Sequence, residues 1–166
     1  MQFTYAILDF KDLHISKKVK KLIRKDNYTV AINKDIEKVM LQIDSYHLDS
    51  WLKKEYRNML LKIFNEEHEN FELISFELYD KEDLVCAEIG YIIGKTYTSL
   101  TGFRSEDKKY NNWGKLQLVL LSVYLEENGF DFWNLGHSCL QYKLDLGAKI
   151  YKRSDFLKRW KESTIA

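Results

Sequence analysis

A chain of 166 residues with 45% apolar and 31% charged side chains is long enough to bury one core and too hydrophobic for disorder, so a single domain is expected. No apolar run reaches the roughly 18–20 residues that cross a bilayer, and the first residues lack the basic-then-apolar order of a signal peptide; a cytoplasmic protein without membrane contact is expected. The net charge of +1 hides an uneven distribution: residues 1–34 sum to +5, 35–94 to −8 and 95–166 to +4, a pattern able to present one positive face to phosphates. The two cysteines, Cys86 and Cys139, have no CxxC or Cys/His spacing, so both are expected to be reduced, packed thiols and no metal site is expected.

The first predicted element is an extended segment over 3–10. Ser16 is placed to cap the basic run 17–25, because its hydroxyl can accept from the free amides of a first helical turn. Residues 28–32 read as a strand. Asn33 is expected to cap a helix in which Ile36, Val39, Met40 and Ile43 recur at i, i+3, i+4 and i+7, the spacing of one buried face. A second helix is expected from about Asp49 to Asn65. The cluster from Glu66 to Asn70, which includes His68, reads as a solvated corner.

Three strands follow, at 71–79, 84–93 and 95–103, with short polar turns that favour antiparallel pairing. After a polar loop at 105–112, residues 113–128 form an almost wholly apolar helix ending at Gly129, the residue best suited to the left-handed position there. A strand at 130–135, a short helix or turn at 138–146 and a strand at 148–151 come next. A last helix capped by Ser154 runs through Trp160. Helices, a meander, then alternating helix and strand describe an α+β fold with a mixed, largely antiparallel sheet flanked by helices.

Several strings along this chain occur in the same order in one family. Leu13-His14-Ile15-Ser16-Lys17, with the strand Tyr28 to Asn33 after it, resembles the leucine-histidine-isoleucine-serine-basic motif of the leucyl/phenylalanyl-tRNA–protein transferases. Ser50-Trp51-Leu52, Leu84-Val85 with Gly90-Tyr91, Lys115, and Leu146-Gly147-Ala148 with Arg153 are similar to further motifs of that family, so the resemblance runs from about residue 5 to 161. It implies one GNAT-like transferase domain over 1–166, with the basic segment 1–34 packed on it. It also implies transfer of leucine or phenylalanine from aminoacyl-tRNA to a protein N-terminus that begins with a basic residue, creating a degradation signal. Aminoacyl-tRNA is then a co-substrate and no other cofactor is expected.

On this resemblance, Lys17, Lys18, Lys20, Lys21, Arg24, Lys25 and Lys115 are candidates for tRNA phosphates, an attraction independent of base sequence. Trp51 and Trp113 are candidates for stacking on the terminal adenosine or lining the aminoacyl pocket, and Phe103 for holding the amino-acid side chain. The family's helper glutamate falls on Leu100 and its neighbouring serine on Thr101. The aspartate and glutamine of its later strand fall on Asn134 and Gly136. Leucine cannot take a proton, so Asn134 as an orienting group and His137 as a base are the catalytic candidates, while Leu100, Thr101 and Gln141 are candidates for substrate binding. Longer members carry a further front segment that helps form the pocket; here that part is expected to be missing or supplied otherwise.

Two other readings stay open. One is a non-catalytic module that binds aminoacyl-tRNA or a protein N-terminus. The other is an acyl-CoA-dependent GNAT, although Asn111-Asn112-Trp113-Gly114-Lys115 offers one glycine where a pyrophosphate loop needs close backbone amides.

Overall fold

The computed structural model describes residues 1–165. Strand β1 spans Thr4–Leu8, helix α1 Lys17–Lys25, β2 Thr29–Ile32, α2 Ile36–Tyr46 and α3 Lys54–Asn65. The meander is β3 Glu72–Asp80, β4 Asp83–Ile93 and β5 Thr96–Arg104; then come α4 Trp113–Glu127, β6 Phe132–Asn134, α5 Gln141–Asp145, β7 Lys149–Lys152 and α6 Arg153–Thr164. The seven strands form one sheet in the order β2-β3-β4-β5-β6-β1-β7. Every pairing is antiparallel except β5 with β6, which is the mixed sheet the residue pattern predicts.

Alternation along the strands sends successive side chains to opposite faces, and each face carries its own helices. On one face, Ala6, Leu8, Ile74, Phe76, Tyr97 and Trp133 pack with α1 and α4. On the other, Leu73, Ala87, Ile89 and Phe103 meet α2 and α3, while Ile7 and Phe132 meet Phe156 of α6. The near-uniform apolarity of α4 follows from its place: it lies across the sheet with α1 against its flank.

Local signals place most boundaries. Ser16 Oγ accepts from Val19 N at 3.3 Å and starts α1, and Gly129 takes φ +76° just beyond the end of α4. Three expectations are corrected. Asn33 does not cap α2; it sits at φ 57° with its Oδ1 accepting from Ser75 N, while Asp35 caps by accepting from Lys38 N. The second helix starts at Lys54, because Ser50 Oγ turns back to accept from Leu52 N and holds 49–53 as a loop. Ser154 lies inside α6, whose first residue is Arg153 and whose flanking residue is Lys152.

Candidate active site

The parallel pair is short. β5 and β6 match Thr96 with Phe132, Tyr97 with Trp133 and Thr98 with Asn134, and there the pairing ends. Beyond it, β5 runs on to Arg104 beside β4 alone, with a bulge at Leu100. β6 peels toward β1, where Leu135 N donates to Ala6 O and Ala6 N donates to Gly136 O. The two strands therefore open a cleft whose first residue on the β5 side is Ser99.

One wall of the cleft lies on the face of α2 and α3. A shallow recess of about 290 Å³ is lined by His47, Leu48, Asp49, Ser50, Trp51 and Thr101. His47 Nε2 lies 2.8 Å from Gly102 O and ties the end of α2 to β5 beside it. Trp51 is 45% exposed, with Tyr56 edge-on to its ring, and Leu100 is 36% exposed between Ser99 and Thr101. The fold thus brings Trp51 and Thr101, far apart in sequence, to one recess. Phe103 lies buried in the core that α2 and α3 form against the sheet. Trp113 does not join them: at 4% exposure it packs edge-on against Tyr28 and Tyr110 in the other core and has no free face to offer a ligand.

On the α4 face the cleft has a polar floor that the sequence reading missed. Glu88 of β4, 6% exposed, accepts at Oε1 from Tyr97 Oη at 2.8 Å and Ser99 Oγ at 2.7 Å. Its Oε2 has only a long contact, 3.5 Å from Gln117 Nε2 of α4. Trp133 Nε1 donates to Ser99 Oγ at 2.8 Å. Gly90 makes the arrangement possible, since a Cβ there would stand 2.3 Å from Tyr97 Oη. Burial pushes the Glu88 carboxyl above its ordinary range, against the bonds from Ser99, Tyr97 and Gln117, which favour the ionised form. The signal available in sequence was a lone acid in Val85-Cys86-Ala87-Glu88-Ile89-Gly90, an otherwise apolar strand.

The β6 side supplies the remaining candidates. Asn134 is buried with both ends of its amide engaged: Nδ2 donates to Thr98 Oγ1 at 3.3 Å and Oδ1 accepts from Gly136 N at 2.9 Å, so it fixes the turn where the strands part. His137 is exposed, and burial of its ring edge together with the Lys143 charge lowers its pKa. Lys143 is itself buried and donates to His137 O at 2.6 Å. Gln141 is exposed and donates to Asp145 Oδ1.

The basic residues of α1 all face solvent. Val19 is buried and Leu22 and Ile23 pack on the core, which leaves Lys17, Lys18, Lys20, Lys21, Arg24 and Lys25 outward. Lys115 is exposed in the first turn of α4, the helix on which α1 rests. Among the described residues there is no helix long and apolar enough to cross a membrane, and no group of three or more His, Cys, Asp or Glu side chains that could hold a metal ion.

The chain is 25% identical over 151 residues to the leucyl/phenylalanyl-tRNA–protein transferase of Shewanella pealeana, covering 89% of this chain and 60% of that protein. It is 24% identical to the enzyme of the same name from Maricaulis maris, covering 96% of this chain and 71% of that protein. The chain thus spans about 60–70% of the length of these two relatives. Among solved structures it is similar to FemX, with a TM-score of 0.65 at 11% identity over 90% of this chain and 59% of that one. A GCN5-related N-acetyltransferase from Kribbella flavida matches with a TM-score of 0.55 at 10% identity, covering 92% and 55% of the two chains. At such identities the likeness concerns the fold, which is GNAT-like. The leucyl/phenylalanyl-tRNA protein transferase family matches residues 7–161, and the chain belongs to that family.

Proposed function

We propose that this protein transfers an amino acid of the leucine or phenylalanine class from aminoacyl-tRNA to the N-terminal amine of a protein or peptide, marking it for degradation in the cytoplasm. The observation that carries the reading is the cleft between β5 and β6, flanked by the Trp51–Thr101 recess on one face and a buried carboxylate on the other, in a chain matched to the family over 7–161. The exposed cations of α1, with Lys115, supply a phosphate-attracting surface for the acceptor stem. Trp51, Leu100 and Thr101 offer apolar and aromatic surface to the terminal adenosine and the amino-acid side chain, and Phe103 backs that wall from the core. Asn134 ties β6 to β5 through Thr98 and fixes the turn at which the strands part. Gln141 and His137 stand on the α5 side.

Amide formation requires the attacking amine to lose a proton and the ester carbonyl to be stabilised as it becomes an oxyanion. Aminoacyl-tRNA carries the activated ester, so the chemistry needs no further cofactor. The test is transfer of labelled leucine or phenylalanine from charged tRNA to a peptide beginning with Lys or Arg. Incorporation is expected. The apolar Leu100 and the fully engaged Asn134 amide favour a second reading, a module that binds aminoacyl-tRNA or a protein N-terminus without reacting. Absence of transfer with salt-sensitive tRNA binding retained would establish that reading instead.

A further inference from the structure

The reaction needs a proton acceptor, and the two carboxylates that the family places along these strands are leucine and asparagine here. Resting on the transferase reading, we propose that Ser99 and Glu88 form the acid–base pair of this protein: Ser99 Oγ takes the proton of the attacking amine while passing its own to Glu88.

The geometry directs the proton. Trp133 Nε1 can only donate, so at 2.8 Å it fills one lone pair of Ser99 Oγ. That leaves the serine hydroxyl hydrogen for its other close partner, Glu88 Oε1, 2.7 Å away. Ser99 is half-buried at the point where β5 and β6 part, so a second lone pair of its oxygen is available at the opening of the cleft. Glu88 lies behind it and acts through it. Tyr97 Oη also donates to Oε1, and the Tyr97 hydroxyl, raised well above its usual range by burial, stays protonated and cannot compete as a base. Glu88 Oε2 has only the 3.5 Å contact to Gln117, so the carboxylate keeps enough basicity for Oε1 to take the serine proton. The other charged or titratable groups that act on Glu88 are Lys143 and Tyr142 of α5. Lys143 favours the ionised carboxylate between turnovers. His137 is a poorer candidate. It follows Gly136, whose carbonyl is bound to β1, and the neighbouring Lys143 weakens it as a base.

The steps balance. The amine nitrogen attacks the ester carbonyl carbon and the C–N bond forms. The amine proton moves to Ser99 Oγ as the serine proton moves to Glu88. The bond from that carbon to the ribose oxygen then breaks, and the proton returns from Glu88 through Ser99 to the departing oxygen. The products are the amide and a free ribose hydroxyl, with serine and carboxylate restored.

The experiment measures single-turnover transfer of labelled leucine or phenylalanine to a Lys- or Arg-initiated peptide across pH for the wild type, S99A, S99T and E88Q. Removing an acid–base group costs about 10²-fold or more in rate. S99A and E88Q are expected to lose that much and to lose the acidic limb of the pH–rate profile, with thermal midpoints showing that both fold. S99T, which keeps a hydroxyl, restores most of the rate. S99A or E88Q with wild-type rate and profile overturns the relay while leaving the transferase reading intact. A wild type that transfers nothing overturns both.

Discussion

Replacing Lys17, Lys18, Lys20 and Lys21 by glutamate separates the electrostatic role of α1 from its structural one. These lysines lie in the first half of a nine-residue helix whose packing falls to Val19, Leu22 and Ile23. Glutamates near a helix N-terminus complement its dipole, and Ser16 remains to cap it, so the fold is expected to survive. At about 1.5 Å per residue the helix is about 13 Å long, enough to face several phosphates of a duplex stem. Each neutralised phosphate contributes about 0.9 to the slope of log affinity against log salt, so four contacts give about 3.6, or roughly a 150-fold loss between about 50 and 200 mM salt. Reversing the charges is expected to abolish that slope and measurable binding together. Fluorescence anisotropy with labelled tRNA at several salt concentrations, alongside a thermal melt, reads both quantities. An unchanged affinity and slope in a folded variant would remove α1 from the interface.

Four further outcomes are expected. Trp51→Ala, which removes an exposed ring, should leave the thermal midpoint near that of the wild type but raise the aminoacyl-tRNA KM about tenfold, as loss of one stacked base would. Gly147→Ala forces a side chain into φ +113° with its Cβ 2.0 Å from Asp12 O, and should cost about 3 kcal/mol, lowering the midpoint by roughly 6–12 °C. Burial pushes the Cys86 thiol up to about 12, so iodoacetamide should label only the exposed Cys139 in native protein and both thiols after unfolding, as counted by mass spectrometry. Burial lifts the Glu88 carboxyl above its ordinary 4.5, so its contribution to stability is intact below that pH and is lost as pH rises toward the folded value. Glutamine suffers no such loss; melts across pH should show E88Q gaining on the wild type from about pH 4.5 upward, and a constant difference would refute the burial argument.

Local rules explain what could be read from the chain alone. Ser16, Gly129, the 3.6-residue periodicity of α2 and the polar turns of the meander each act over a few residues, so their signals lie together in the sequence. Asn33 and Asp35 are both competent caps, and only the reach of Asn33 to Ser75 on β3 decides between them. The apolar spacing of Trp113 fits a core or a ligand wall equally, and the difference lies in Tyr28 and Tyr110 folding over it. Trp51 and Thr101 share a recess because α2 ends over β5, a juxtaposition no window of sequence contains. Glu88 escaped notice for a related reason: its meaning depends on Ser99 and Trp133 being cross-strand neighbours.

The place of β1 in the sheet has a bearing on how the protein is made. Its residues, Thr4–Leu8, pair with Asn134 and Trp133 on one side and with Lys149–Lys152 on the other. β1 leaves a ribosome well before both of its partners and must wait for them, about 6–29 seconds at the usual pace of synthesis. Until β6 is made, β1 has no partner and β5 has no neighbour on the side away from β4, so the cleft between β5 and β6 does not yet exist. An incomplete chain can complete the meander but not this cleft, so on the proposed reading a nascent copy has no working site.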